Sequence, residues 1–164
     1  MREWIRYAKV APEGFQALLR FDDYVKQCGL EQSLLELVRI RVSQINGCGY
    51  CIDIHTKDAR AEGESEQRLY CLSAWQETPF YSDRERAALA WAEAVARLSM
   101  NHVPDDVYEN AMAHFSTREL VDLTMAVISI NSMNWLAVSC NTPAGSYHRD
   151  SPVTARKAPD PGSE

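Results

Sequence analysis

The segment Asn46-Gly-Cys-Gly-Tyr-Cys-Ile-Asp-Ile-His55 places Cys48 and Cys51 three residues apart and His55 four beyond the second cysteine. If a helix begins near Cys48, a turn of about 100° per residue brings all three side chains within roughly 60° of one another. Cys51 and His55 are then i, i+4 neighbours and can touch. A helix start and a nearby imidazolium both stabilise a thiolate, the reactive form of cysteine. Two cysteines at this spacing can also close a disulfide across one turn, so the local requirements of a reactive dithiol are met. Two rival readings use the same residues. One is a pair of buried thiols acting as small hydrophobes. The other is a zinc site of Cys48, Cys51 and His55, with Glu36 or Cys71 as fourth ligand. Such a site usually draws on a second ligand pair, and the chain has no second Cys-x-x-Cys. Asp53 and Asp58 project from other sides of this helix and read as surface residues.

Glu36 lies twelve residues before Cys48. In one continuous helix that is about 18 Å, too far for a proton relay. A break at Asn46-Gly-Cys-Gly49 would let two helices fold back on each other and bring Glu36 to face Cys51 and His55. Taken alone, Glu36 reads as a solvated helix carboxylate.

The elements that must position these groups read as helices. Phe15, Leu18, Leu19 and Val25 recur at helical spacing before Gly29. Leu34, Leu37, Val38, Val42 and Ile45 share a face with Arg41, the odd member, which either snorkels or meets a carboxylate at a subunit interface. Gly47 supplies a stop, and Gly63 a C-terminal cap for the helix that follows. A shorter helical stretch over 65–77 ends at Thr78-Pro79. Ser82 with Glu85, and Ser116 with Glu119, are capping-box pairs at the head of two further helices. Pro104 and two acids open another. No hairpin signal or strand alternation stands out. The chain therefore reads as a single-domain all-α protein of about six to eight helices. Glu-Leu-Val…Ile-Asn occurs at 36–46 and again at 119–131, a weak internal echo. From Pro143 the text turns Pro-rich and poor in apolar residues. It divides the chain into a helical domain, 1–142, and a flexible tail or subunit-packing arm, 143–164.

The 164 residues fit one domain, and 46% are hydrophobic, enough for a core without staples. A formal charge of −6 argues against nucleic acid and anionic membrane as partners. The longest stretch without acids or bases, 123–148, is interrupted by Ser, Thr and Asn and does not read as a membrane span. The first residues lack the apolar run of a signal peptide. The expectation is a cytoplasmic protein in a reducing pool, where five cysteines do not imply a structural disulfide framework. Cys28, Cys71 and Cys140 have no local partner that would make them reactive. His102, His114 and His148 read as surface or satisfied core residues, and Trp75, Trp91 and Trp135 as core. The late segment Ile130-Asn-Ser-Met-Asn-Trp135 is a candidate lining of the site.

Glu36, twelve residues to Cys48, Cys-Gly-Tyr-Cys, and His55 four beyond Cys51 together resemble the alkylhydroperoxidase D (AhpD-like) family of the carboxymuconolactone decarboxylase superfamily. The likeness covers roughly residues 10 to 140, and the Glu–CxxC–His spacing is specific where a lone CxxC is not. The resemblance implies an all-α fold assembled as a homotrimer or homohexamer; the expectation from the residues is that the site holds no cofactor and no metal. It implies a peroxidase in which Cys51 attacks a hydroperoxide and becomes a sulfenic acid, and Cys48 resolves it to a disulfide. An external dithiol or protein reductant resets the pair, and Glu36 with His55 relays the Cys51 proton. Some members carry a second histidine directly before the second cysteine. Here that residue is Tyr50, a poor base near pH 7, which implies a shorter relay and a lower peroxidase rate. Two alternatives remain open: a thiol–disulfide oxidoreductase or adaptor using the same residues, and a non-redox lyase or small-molecule binder as in the decarboxylase branch. That branch can work without the cysteine pair.

Overall fold

The computed structural model describes residues 2–149. Its helices are α1 (Tyr7–Val10), α2 (Pro12–Lys26), α3 (Gln32–Ile45), α4 (Gly49–Ala61), α5 (Glu66–Cys71), α6 (Asp83–Ala96), α7 (Asp105–His114) and α8 (Thr117–Ser139), with a 3-10 segment, Leu72–Glu77, directly after α5. Among the described residues there is no strand, and the all-α expectation holds.

The centre of the bundle is α3. Every residue from Leu34 to Ile40 is buried, as are Val42 and Ser43. A helix enclosed on all sides has no solvent face, so the one-sided apolar stripe expected for it is too narrow. It packs against α4, α6 and α8. On α6, Ala87, Ala88 and Ala92 are fully buried. Such small side chains let two helix backbones approach closely. Both expected capping boxes form: Ser82 with Glu85 at the head of α6, and Ser116 with Glu119 at the head of α8. Each satisfies two of the N–H groups a helix start leaves unpaired.

By length and composition α8 could cross a membrane, with a hydropathy of 1.3 over its apolar window, but half of that window is buried inside the bundle. It also carries Asp122 and Asn134 into the interior. A lipid-facing helix would not spend its faces this way, and α8 is a core helix. The stretch 65–77 is not one regular helix. Ala74 leaves helical geometry (φ −120°, ψ 33°) and the chain tightens into the 3-10 segment. This places Leu72 and Trp75 in a second apolar cluster with Leu37, Ile40 and Leu89.

Residues 143–149 lie along α4. Gly145 N–H donates to Asp53 and the Tyr147 hydroxyl to Asp58, at 3.0 and 2.6 Å. Arg149 pairs with Glu62 at 3.1 Å. Asp53 and Asp58 are therefore anchors for the chain that follows α8 rather than idle surface groups. The rest of the tail, 150–164, lies outside the described residues.

Candidate active site: a buried dithiol and a carboxylate–imidazole pair on one hairpin

The site is built at the hairpin between α3 and α4. Gly47, at φ +67°, takes the left-handed backbone that turns the chain between them, a conformation that strains any residue with a Cβ. α4 then runs back along α3. Cys48 is its N-cap, and the Cys51 N–H donates to the Cys48 sulfur at 3.3 Å. Both cysteines are free thiols, 1% and 4% exposed.

The two thiols are driven apart electrostatically. The Cys51 S–H donating to Cys48 lowers the Cys48 thiol below its ordinary range. Burial opposes this, and the Cys51 and Tyr50 backbone N–H groups and the Asn134 side chain reinforce it. Cys51 moves the other way, raised first by that same hydrogen bond and then by burial and by the charge on Cys48. Of the two thiols, Cys48 is therefore the more readily ionised, and it lies at the start of the helix, where the dipole favours negative charge.

Asn134 of α8 is fully buried and faces both sulfurs. Its amide N–H donates to Ser43 Oγ at 3.0 Å, and its Oδ1 accepts from Asn46 Nδ2 at 2.9 Å. Asn46 Nδ2 also donates to Asn131 Oδ1 at 2.6 Å. The two Ile-Asn ends of the internal echo thus meet at the floor of the site. Tyr50 is half-buried beside the cysteines. Tyr7 of α1 lies within electrostatic reach of Tyr50, Cys51 and Cys140, and burial raises its phenol above the ordinary range.

Glu36 is 3% exposed, not a solvated carboxylate. Its Oε2 is 2.8 Å from His55 Nδ1, and its Oε1 accepts from Arg39 Nη1 at 2.7 Å and Gln32 Nε2 at 3.1 Å. Burial works to raise this carboxyl. The hydrogen bond and charge of His55, then those of Arg39, outweigh it and hold the group below the usual carboxylate range. An ionised carboxylate only accepts, so His55 donates its Nδ1–H, and whenever the ring is neutral Nε2 is the acceptor. His55 stands one turn beyond Cys51 on α4, on the same face.

The four sequence-predicted residues thus lie on one hairpin as two contacting pairs: Cys48 with Cys51 at the head of α4, and His55, one turn on, with Glu36 across the hairpin. The zinc alternative gains no support from the geometry. Glu36 has both oxygens engaged, and Cys71 sits on α5 beside Gln67, at 3.3 Å. Among the described residues no group of three His, Cys, Asp or Glu side chains is arranged to hold a metal ion. Arg41 finds its carboxylate within the chain, Glu93 at 2.7 Å, and the Trp75 indole N–H shares that carboxylate. The buried guanidinium is that of Arg39, 2% exposed. Sequence reasoning misses it because the side of α3 away from the expected apolar stripe is enclosed as well. Trp75 is core as expected, whereas Trp135 is 61% exposed and is not.

A helical bundle with a buried Cys-x-x-Cys at one helix start, and a Glu–His pair spanning the hairpin before it, defines the AhpD-like class of proteins. The chain belongs to the carboxymuconolactone decarboxylase family, whose model matches residues 12–94. It is 41% identical over 146 residues to the uncharacterized protein YdfG of Bacillus subtilis, covering 89% of this chain and 99% of that one. A crystal structure of a protein of unknown function from Agrobacterium tumefaciens, proposed to be the antioxidant defence protein AhpD, superimposes with a TM-score of 0.86. The identity there is 40%, over 89% of this chain and 100% of that one. The alkyl hydroperoxide reductase AhpD of Bradyrhizobium diazoefficiens is 40% identical over 47 residues, 29% of this chain and 26% of its own.

Proposed function

We propose that this chain is a cysteine-based peroxidase that reduces hydroperoxides through a Cys48–Cys51 dithiol/disulfide cycle. The observation that carries the reading is the 2.8 Å Glu36–His55 pair across the hairpin, one helical turn from Cys51. His55 Nε2 takes one proton from the dithiol, leaving a single negative charge shared by two sulfurs. That charge rests on Cys48 and passes to Cys51 as the shared proton moves the other way. Cys51 attacks the O–O bond, becomes a sulfenic acid and releases an alkoxide, which the His55 imidazolium protonates to the alcohol. The Cys48 sulfur then displaces hydroxide from the sulfenic sulfur. Its own proton leaves with that hydroxide as water, and the disulfide closes. An external dithiol returns the pair to its reduced state.

The raised Cys51 thiol gives the relay its purpose, since without a base one turn away Cys51 would stay protonated. The test is hydroperoxide consumption with dithiothreitol as reductant. Cys51→Ser abolishes it, and Cys48→Ser is limited to a single turnover with a trappable sulfenic acid. Full turnover by Cys51→Ser contradicts the assignment.

One observation favours a second reading. The more readily ionised thiol is the first cysteine of the pair, at a helix start, which suits attack on a disulfide as well as on a peroxide. Rapid disulfide exchange with negligible peroxide turnover selects a thiol–disulfide oxidoreductase.

A homotrimer or homohexamer is the assembly we propose. In support, α8 exposes Val121, Ile128 and Trp135 at seven-residue spacing along one side, with Val138 beyond. Trp4, 70% exposed, is tied by its backbone to Cys140 just past the end of α8. A continuous apolar stripe of this kind marks an interface more often than free surface.

A further inference from the structure

Behind Glu36 the charges continue in a chain that the peroxide chemistry does not itself require. Arg39, with its side chain 2% exposed, lies between two carboxylates. Nη1 donates to Glu36 Oε1 at 2.7 Å and Nη2 to Asp22 Oδ1 at 3.1 Å. The other Asp22 oxygen pairs with Lys26 Nζ at 2.7 Å. The order is Lys26, Asp22, Arg39, Glu36, His55, drawn from α2, α3 and α4. The formal charges of the first four cancel. Asp22 is close enough to feel the charge of His55 directly.

We propose that Arg39 is a positioning residue for the Glu36–His55 relay, with Asp22 as its counterweight. The guanidinium fixes one oxygen of Glu36, so that the other is aimed at His55 Nδ1. It also offsets the carboxylate's pull for a second proton on the imidazole. His55 is thereby held in the tautomer whose Nε2 can receive a proton and give it up again. A bare buried glutamate would bind the imidazolium too tightly to release that proton to an alkoxide. Asp22 works against Arg39 by sharing its charge. The groups facing the relay are thus Asp22 and Lys26 from α2, Glu36 and Arg39 from α3, and Cys48 and Cys51 at the head of α4. Asn134, from α8, is neutral.

The purpose assigned to Arg39 rests on the peroxidase reading, but the test does not need turnover. His55 is titrated by NMR in the reduced full-length protein and in Arg39→Met, Arg39→Lys and Asp22→Asn. The titration midpoint of Arg39→Met rises by at least one pH unit, a tenfold gain in proton affinity. Asp22→Asn moves it down, because the full charge of Arg39 then falls on Glu36. Arg39→Lys returns it toward the parent value, since the charge is kept although the fork is lost. Opposite shifts in Arg39→Met and Asp22→Asn are a signature that simple loosening of the helices does not produce. Shifts in the same direction, or none, overturn the proposal. If Arg39→Met does not fold, the proposal stands or falls on the Asp22→Asn and Arg39→Lys shifts. Hydroperoxide consumption is measured separately on the parent protein. Absent consumption with intact opposite shifts removes the peroxidase reading and leaves the charge chain standing.

Discussion

The backbone N–H of Cys51 points at the sulfur of Cys48, 3.3 Å away, so the second cysteine of the pair helps to cap the helix through the first. The contact is asymmetric. Cys48 gains hydrogen bonds as an anion, and Cys51 loses its own as soon as it ionises. Limited alkylation of the reduced protein with iodoacetamide at neutral pH therefore labels Cys48 ahead of Cys51, as mapped by peptide mass spectrometry. In Cys48→Ser the anion beside Cys51 is gone, and Cys51 alkylates at lower pH than it does in the parent. Preferential labelling of Cys51 in the parent would reverse the assigned order of ionisation.

Asn134 links that asymmetry to the core. It is fully buried, tied to Ser43 and Asn46, and turned toward both sulfurs. Asn134→Leu leaves Ser43 and Asn46 with unmet bonds, at a cost of about 1–3 kcal/mol. It also moves Cys48 alkylation to higher pH, because one donor to the thiolate is lost. Chemical denaturation and the alkylation pH profile read the two effects independently. A variant that loses stability while its alkylation profile stays put would confine Asn134 to a structural role.

The carboxylates set the acid limit of the fold. Glu36 and Asp22 are both held below their ordinary values against the opposing effect of burial, chiefly by His55 and Arg39 for Glu36 and by Arg39 and Lys26 for Asp22. A depressed carboxylate contributes stability that is fully present above its unfolded pKa. That contribution is lost as pH falls through the folded value. The contribution of these two groups to the unfolding free energy is therefore level near neutrality and declines as pH falls below their ordinary values of 4.5 and 3.8. Glu36→Gln removes part of that decline and lowers stability at pH 7 by about 1–3 kcal/mol, since Arg39 keeps Asp22 but loses its charged partner at Nη1. Urea unfolding of both proteins from pH 3 to 7 tests this. Parallel curves would mean that Glu36 contributes nothing to the acid transition.

Much of this site is legible in the sequence because it is local. Cys48, Cys51 and His55 belong to one helix, and the glycines around Cys48 announce the turn that returns Glu36 to them. Both capping boxes could be read directly, since each is set by two residues three apart. What escaped depends on enclosure. Periodicity finds the core face of a half-exposed helix, and α3 has no exposed half, so the pattern singles out Arg41 and passes over Arg39. Trp135 was assigned to the core on residue type, although its side of α8 faces outward. The late Ile130–Trp135 segment was only a candidate. Nothing within it signals that Asn134 looks toward two cysteines more than eighty residues earlier.

The outward side of α8 bears on assembly. Trp135→Glu places a charge in the middle of the exposed apolar stripe without touching the buried face. It leaves helicity unchanged and lowers the mass found by light scattering behind size exclusion. A monomeric parent protein, or an unchanged mass in the variant, would contradict an interface at this stripe.

The most direct test of the central claim is thiol counting by mass spectrometry on the reduced protein, before and after one equivalent of cumene hydroperoxide. The peroxidase account predicts prompt loss of two of the five thiols, recovered as a Cys48–Cys51 disulfide within one peptide. Five thiols still free after exposure would contradict it.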